Sequence, residues 1–175
     1  MPEPVLRPRA HELPDVLQFM QLLWAVVHGI ETTSKRMAAR TGVTGPQRLV
    51  LRVVGLFPGL SAGELASILL LHPSTLTGIL QRLATQGLLT RTDDPGDRRR
   101  AVLKLTARGA RANATGDGTV EAAVAEALDG INARDRAATR RVFERLAGFL
   151  EPDVPSTTEP GGRRSRRVAR REGGD

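Results

Sequence analysis

The sequence predicts a mostly α-helical fold with one small β-hairpin. Apolar residues recur at steps of three and four through most of residues 12–150, the period of helices that bury one side. Helix starters and stoppers punctuate that pattern: Ser61 with Glu64, Pro73, and Gly42 and Gly87. Strand-like alternation is confined to one place, around the turn-forming run Asp94-Pro95-Gly96-Asp97.

The first helix is expected over residues 12–41, where Val16, Met20, Leu23, Val27, Ile30 and Met37 share a side and Gly42 ends the run. Thirty residues rise about 45 Å, more than a small domain needs internally, so a second copy of the chain is expected to cover part of it. A second helix spans 45–57, with Leu49, Val50, Val53, Val54, Leu56 and Phe57 as its apolar residues, and stops at Pro58-Gly59. The third, 61–70, opens on a Ser61/Glu64 capping box, in which serine and glutamate each satisfy a first-turn N–H. After a turn at Leu71-His72, Pro73 suits the first turn of a fourth helix; Leu76, Ile79, Leu80 and Leu83 face the core and Gly87 closes it.

Two strands follow, 88–92 and 99–105, the second alternating Ala101, Leu103 and Leu105 on a buried face with Val102 and Lys104 on an exposed one. Thr106 is expected to cap a fifth helix running to about Leu128 across Gly116 and Gly118. Asn132 caps a sixth, with Val142, Phe143, Leu146, Phe149 and Leu150 on its apolar side. Residues 1–11, with three prolines, are expected to be a flexible arm. Residues 151–175, built of Pro, Gly, Ser, Thr and Arg without periodicity, are expected to be a disordered basic tail.

With 175 residues the chain has room for one domain with a core. Its net charge of +7 favours polyanionic partners, nucleic acid first and acidic membrane surfaces second. The absence of cysteine excludes disulfides, thiol redox sensing and Cys-ligated zinc. Three widely spaced histidines make a metal site unattractive, and no cofactor is expected. No secretory signal and no membrane-spanning apolar run is visible, so a cytoplasmic protein is expected. Asn113-Ala-Thr matches a glycosylation acceptor, which such a location makes irrelevant.

Helices two, three and four followed by a hairpin are in the order of a winged helix-turn-helix, whose recognition helix enters the major groove with its N-terminal residues toward base edges. Here those residues are Ser74, Thr75 and Thr77, with Gln81 one turn on and Arg82 beside it. Hydroxyls donate or accept, threonine methyls suit thymine, and glutamine pairs with adenine in a bidentate way. The plainer alternative makes Ser74 a helix cap and Thr77 a solvated surface residue. Arg98, Arg99 and Arg100 on the hairpin tip suit phosphates or a narrow minor groove, and Asp97 can fix one guanidinium; the alternative is a solvated charge run.

Residues 45–109 resemble the MarR family of transcription regulators. The resemblance is carried by Leu76 to Leu83, Gly87-Leu88-Leu89-Thr90-Arg91, Asp94-Pro95-Gly96-Asp97-Arg98-Arg99, and Leu103-Lys104-Leu105-Thr106 with Gly109. The terminal helices extend it over residues 12–150, with dimerisation helices at 12–41 and 107–150. It implies a homodimer joined through those helices and bound to a pseudo-palindromic operator in double-stranded DNA. By the same resemblance Asp97 and Arg99 form the wing pair, Arg99 lies in the minor groove and Arg91 helps hold the wing. It also implies repression relieved by a small aromatic or lipophilic effector in a cleft between dimerisation helices and DNA-binding lobe. Trp24 and His28, one turn apart, with Arg52 as an anion partner, are the candidate liners; the alternative makes Trp24 dimer core and His28 an ordinary surface histidine. One departure stands out: many members carry a basic or larger polar residue where this chain has Gly78.

Two other function classes compete with this reading. A protein-interaction module can use the same scaffold without reading DNA. A hydrolase is suggested only by Gly59-Leu-Ser-Ala-Gly63, whose chemistry needs a strand before the serine, where a helix is expected here. The arginines at 163, 164, 166, 167, 170 and 171 add non-specific phosphate contacts or form a solvated end.

Overall fold

In a computed structural model, residues 13–93, 96, 101–114 and 116–150 are described. The elements run α1 (Asp15–Thr41), α2 (Gly45–Leu56), α3 (Ala62–Leu69), α4 (Pro73–Thr85), β1 (Leu89–Asp93), β2 (Ala101–Leu105), α5 (Ala107–Ala114), α6 (Val120–Leu128) and α7 (Ala133–Leu150). The arm at 1–11, the tail at 151–175 and the wing residues Asp97, Arg98, Arg99 and Arg100 lie outside the described residues.

The core gathers under α2, α3, α4 and the hairpin: Val50, Leu51, Val54, Leu65, Leu76, Leu83, Leu88, Leu89 and Leu103 are buried together. In α2 the inward stripe is Gln47, Val50, Leu51 and Val54, a helical period, while Leu49, Leu56 and Phe57 fall on the opposite side and are exposed. The expected apolar face of this helix therefore held too many residues, because only one sector of a helix can point inward and Leu49 and Leu56 fall outside it. The expected caps are present. Ser61 accepts from Glu64 N–H while the Glu64 carboxylate accepts from Ser61 N–H, and Thr44 and Gln47 form a second capping box that opens α2.

Two expectations are corrected. The fifth helix is two helices: α5 ends at Ala114, Gly118 takes a left-handed φ of 64°, and Thr119 caps α6 by accepting from Ala122 N–H. The turn is held from outside, where Arg40 donates to the carbonyls of Asp117 and Gly118 at 2.9 and 3.3 Å. The second correction concerns β2. It pairs antiparallel with β1, Leu89 opposite Leu105 and Asp93 opposite Ala101, but Val102 is buried along with Leu103, so the strand does not alternate cleanly. Its other edge is covered: Leu103 N–H donates to Leu60 O at 2.8 Å and Gly59 N–H to Leu103 O at 3.3 Å.

The hairpin is fastened to α5 by Thr106. Its hydroxyl donates to Gly87 O at 2.7 Å and accepts from Gly109 N–H at 2.9 Å, and its own N–H reaches Leu88 O. Gly109 faces Leu88 so closely that a β-carbon there would overlap the Leu88 carbonyl oxygen. Glycine is required here for space, not for its φ. Replacing Gly109 with alanine is expected to destabilise the fold by about 3 kcal/mol, since backbone on both sides cannot yield. Urea unfolding of the variant checks this, and a change below about 0.5 kcal/mol would contradict the packing described.

Candidate nucleic-acid interface

The helix-turn-helix is built by α3 and α4. Leu70, in the left-handed region at φ 52°, turns the chain sharply after α3, and Leu71 N–H returns to Ala66 O. Leu76 and Leu83 lock the inner side of α4 into the core, with Ile79 and Leu80 partly buried beside them. The opposite side is free. Ser74, Thr75, Thr77, Gln81 and Arg82 are all exposed, so the structure brings together the five α4 residues singled out from the sequence.

Their chemistry is sharper than residue type alone suggests. Thr77 Oγ1 donates to Pro73 O at 2.8 Å, which commits its hydrogen to the helix and leaves an acceptor and a methyl for a partner. Ser74 is not the cap. That role falls to His72, whose Nδ1 accepts from Ser74 N–H at 3.3 Å and lies 2.7 Å from Ser74 Oγ. Sequence reasoning placed His72 in a turn; Ser, Thr, Asp and Asn dominate expectations for caps, so a histidine carries little signal there.

Beyond α4, Arg91 is exposed on β1, opposite Leu103 of β2. A groove of about 530 Å³ runs along α4, lined by Gln47, Gly78, Gln81, Arg82, Thr85 and Gln86.

The lobe is tied to the flanking helices by a residue that periodicity did not flag. Arg48 is 4% exposed on α2. Its guanidinium pairs through Nε with Glu121 at the start of α6 and donates to Ala112 O at 2.7 Å and Asn113 O at 3.3 Å, at the end of α5. A cavity of about 410 Å³ adjoins it, walled by Met37 and Thr41 of α1, Gln86, Leu88, Arg108 and Arg111 among others. Trp24, His28 and Arg52 are not among its walls; all three are exposed, Trp24 at 64%.

Outside the lobe, apolar surface is left uncovered. Val16, Leu22 and Trp24 on α1, Val124 on α6, and Phe143, Phe149 and Leu150 on α7 are exposed, and neither α6 nor α7 buries a single residue.

A helical lobe that anchors one helix by its apolar side, frees the polar side and sets a two-stranded hairpin next to it is a winged helix-turn-helix, a DNA-reading class. A sequence profile of the MarR family matches residues 41–100. Over 105 residues the chain is 30% identical to the HTH-type transcriptional repressor Mb2911 of Mycobacterium bovis, covering 60% of this chain and 76% of that one. Over 87 residues it is 36% identical to the HTH-type transcriptional regulator TtmR of Methylorubrum extorquens, covering 50% of this chain and 45% of TtmR, less than half of that relative. The fold matches that of S. aureus MepR, solved as a complex with DNA, with a TM-score of 0.62 over 76% of this chain and 98% of MepR at 16% identity. The chain belongs to the MarR family of transcriptional regulators.

The hydrolase reading fails on geometry. Ser61 follows a helix and a turn, and its hydroxyl is bonded 2.8 Å from the Glu64 carboxylate as the cap of α3. Among the described residues no group of three metal-ligating side chains converges, and no helix is long and apolar enough to cross a membrane.

His72→Ala removes the cap and is expected to cost about 1 kcal/mol of stability. It should also weaken DNA binding several-fold, because the fraying turn carries Ser74 and Thr75. Thermal unfolding and fluorescence anisotropy on one preparation test both; an unchanged affinity would place the helix start away from DNA.

Proposed function

We propose that the protein is a homodimeric, sequence-specific repressor that binds a pseudo-palindromic operator and is released by a small-molecule effector. The observation that carries the reading is α4: its apolar side is locked by Leu76 and Leu83 while Ser74, Thr75, Thr77, Gln81 and Arg82 stand free on a rigid rod. Base edges are the chemistry those side chains match. The net charge of +7 supplies long-range attraction to phosphate. Asp97 and Arg99 are assigned to the wing pair, with Arg99 in the minor groove, Arg98 and Arg100 on phosphates, and Arg91 steadying the wing.

The dimer is supported by the uncovered apolar side chains of α1, α6 and α7. An 18-residue amphipathic helix such as α7 that buries nothing has no reason to hold its place in an isolated chain. Pairing these helices with a second copy covers them and sets two α4 helices about 34 Å apart, one turn of DNA. Such a regulator works in the cytoplasm, where the DNA lies.

Release follows if an effector favours a different lobe spacing. The Trp24, His28 and Arg52 group, completed by the partner's surface, is one proposed site; the 410 Å³ cavity beside Arg48, at the junction between the lobe and α1, α5 and α6, is the other place where occupancy would act on spacing.

Selection from random double-stranded DNA by the purified protein is expected to enrich an inverted repeat. Failure to enrich any motif would favour a protein-interaction module on the same scaffold. Phe143→Glu is expected to turn the dimer into a poorly stable monomer in analytical ultracentrifugation and to lower operator affinity by at least tenfold; a dimer that persists would remove α7 from the interface.

A further inference from the structure

We infer that Gly78 is the point at which the backbone of α4 itself meets the floor of the major groove, leaving room for a thymine 5-methyl group. The inference rests on the DNA reading above and adds a specificity determinant to it.

Glycine in the middle of a helix is unfavourable and calls for a reason. Gly29, Gly63 and Gly148 are also unhindered in their helices but lie outside α4; at several other glycines the reasons are internal. Gly109 would overlap Leu88, a β-carbon on Gly55 would meet Asn113 Nδ2 at 2.6 Å, and Gly42, Gly87 and Gly118 adopt positive φ. At Gly78 there is neither. It is helical, its φ is ordinary, and a β-carbon would find no atom of the chain within 4 Å. Nothing inside the molecule asks for glycine at this position.

Its place on the helix says what does. At 100° per residue, Ser74, Gly78, Gln81 and Thr85 fall within a sector of about 60°, opposite the buried Leu76 and Leu83. Gly78 lies in the middle of the free face and forms part of the wall of the groove that Gln47, Gln81, Arg82 and Thr85 also line. Close approach of a backbone to a ligand is the use of glycine that remains.

The chemistry of the spot selects the group it meets. Residue 78 offers only a Cα methylene, and the hydroxyl hydrogen of adjacent Thr77 is given to Pro73 O. Between the polar ends of Ser74 and Gln81 there is thus a small apolar patch. Among the groups lining the major groove, the thymine 5-methyl is the one that needs such a neighbour and no hydrogen bond.

The test sets one methyl against another. The operator is taken from the selection experiment, and a second version carries uracil in place of its half-site thymines. Gly78→Ala is expected to raise the melting temperature by about 3 °C, as an unhindered helical glycine-to-alanine change does. It should weaken binding to the thymine operator about tenfold and regain most of that loss on the uracil operator. Non-specific DNA should be bound as by the parent. Gly63→Ala on α3, equally unhindered, controls for helix stiffening and should leave operator affinity unchanged. Gly78→Ser should lose at least as much as the alanine variant. The inference is overturned if Gly78→Ala binds the thymine operator like the parent, or loses equally on both operators. If the parent protein selects no sequence at all, it is the DNA reading that has failed.

Discussion

The buried guanidinium of Arg48 is the interaction on which the arrangement of the rest depends. It sits on α2, the central helix of the lobe, and is met by groups from two other helices: Glu121 opens α6, and the carbonyls of Ala112 and Asn113 end α5. A charge taken out of water is costly unless its partners are in place, so the lobe and the α5–α6 junction must come together in one geometry. The carbonyl end of α5 carries the negative end of the helix dipole, which suits the cation. One side chain therefore helps fix where the helix-turn-helix lobe stands relative to α5 and α6.

A chain of tight backbone contacts carries that placement to the hairpin. Thr106 and Gly109 press the start of α5 onto Gly87 and Leu88, and Leu103 is bracketed by β1 on one side and Leu60 on the other. The hairpin is thus bonded at its base by Thr106 and along the outer edge of β2. Arg91 extends from a strand whose register is set by these contacts, so its position relative to α4 is a property of the lobe as a whole.

The two halves of the molecule are finished to different degrees. The lobe has a closed core: Leu51, Leu65, Leu76, Leu83 and Leu103 are fully buried and α2, α3 and α4 are capped, although Leu49 and Leu56 stay outside. The long helices are not so enclosed, since Phe149 is 76% exposed and α7 buries nothing. Apolar surface of that extent is what remains when a helix is shaped for another helix. The lobe is thus packed around its own core, while the flanking helices leave apolar surface open.

Much of this was legible in the sequence because it is local. The span of α1 and its stop at Gly42, the Ser61/Glu64 box, the start of α4 at Pro73 and the Thr106 cap each depend on residues a few positions apart. The polar face of α4 was legible for the same reason, being a matter of helical period. What spacing could not show is contact between distant segments. The break between α5 and α6 depends on Arg40 holding the turn at Gly118 from 78 positions away. The burial of Val102 goes with a β2 edge covered by residues 59 and 60. The cap at His72 depends on ring geometry, and Arg48, charged and unremarkable in sequence, is buried only because three groups from two other helices meet it. Sequence determined the elements and the polar face of α4, since both follow from period and capping. Tertiary structure alone decided how they are joined, because a buried charge and a backbone-to-backbone contact exist only once remote parts of the chain have met.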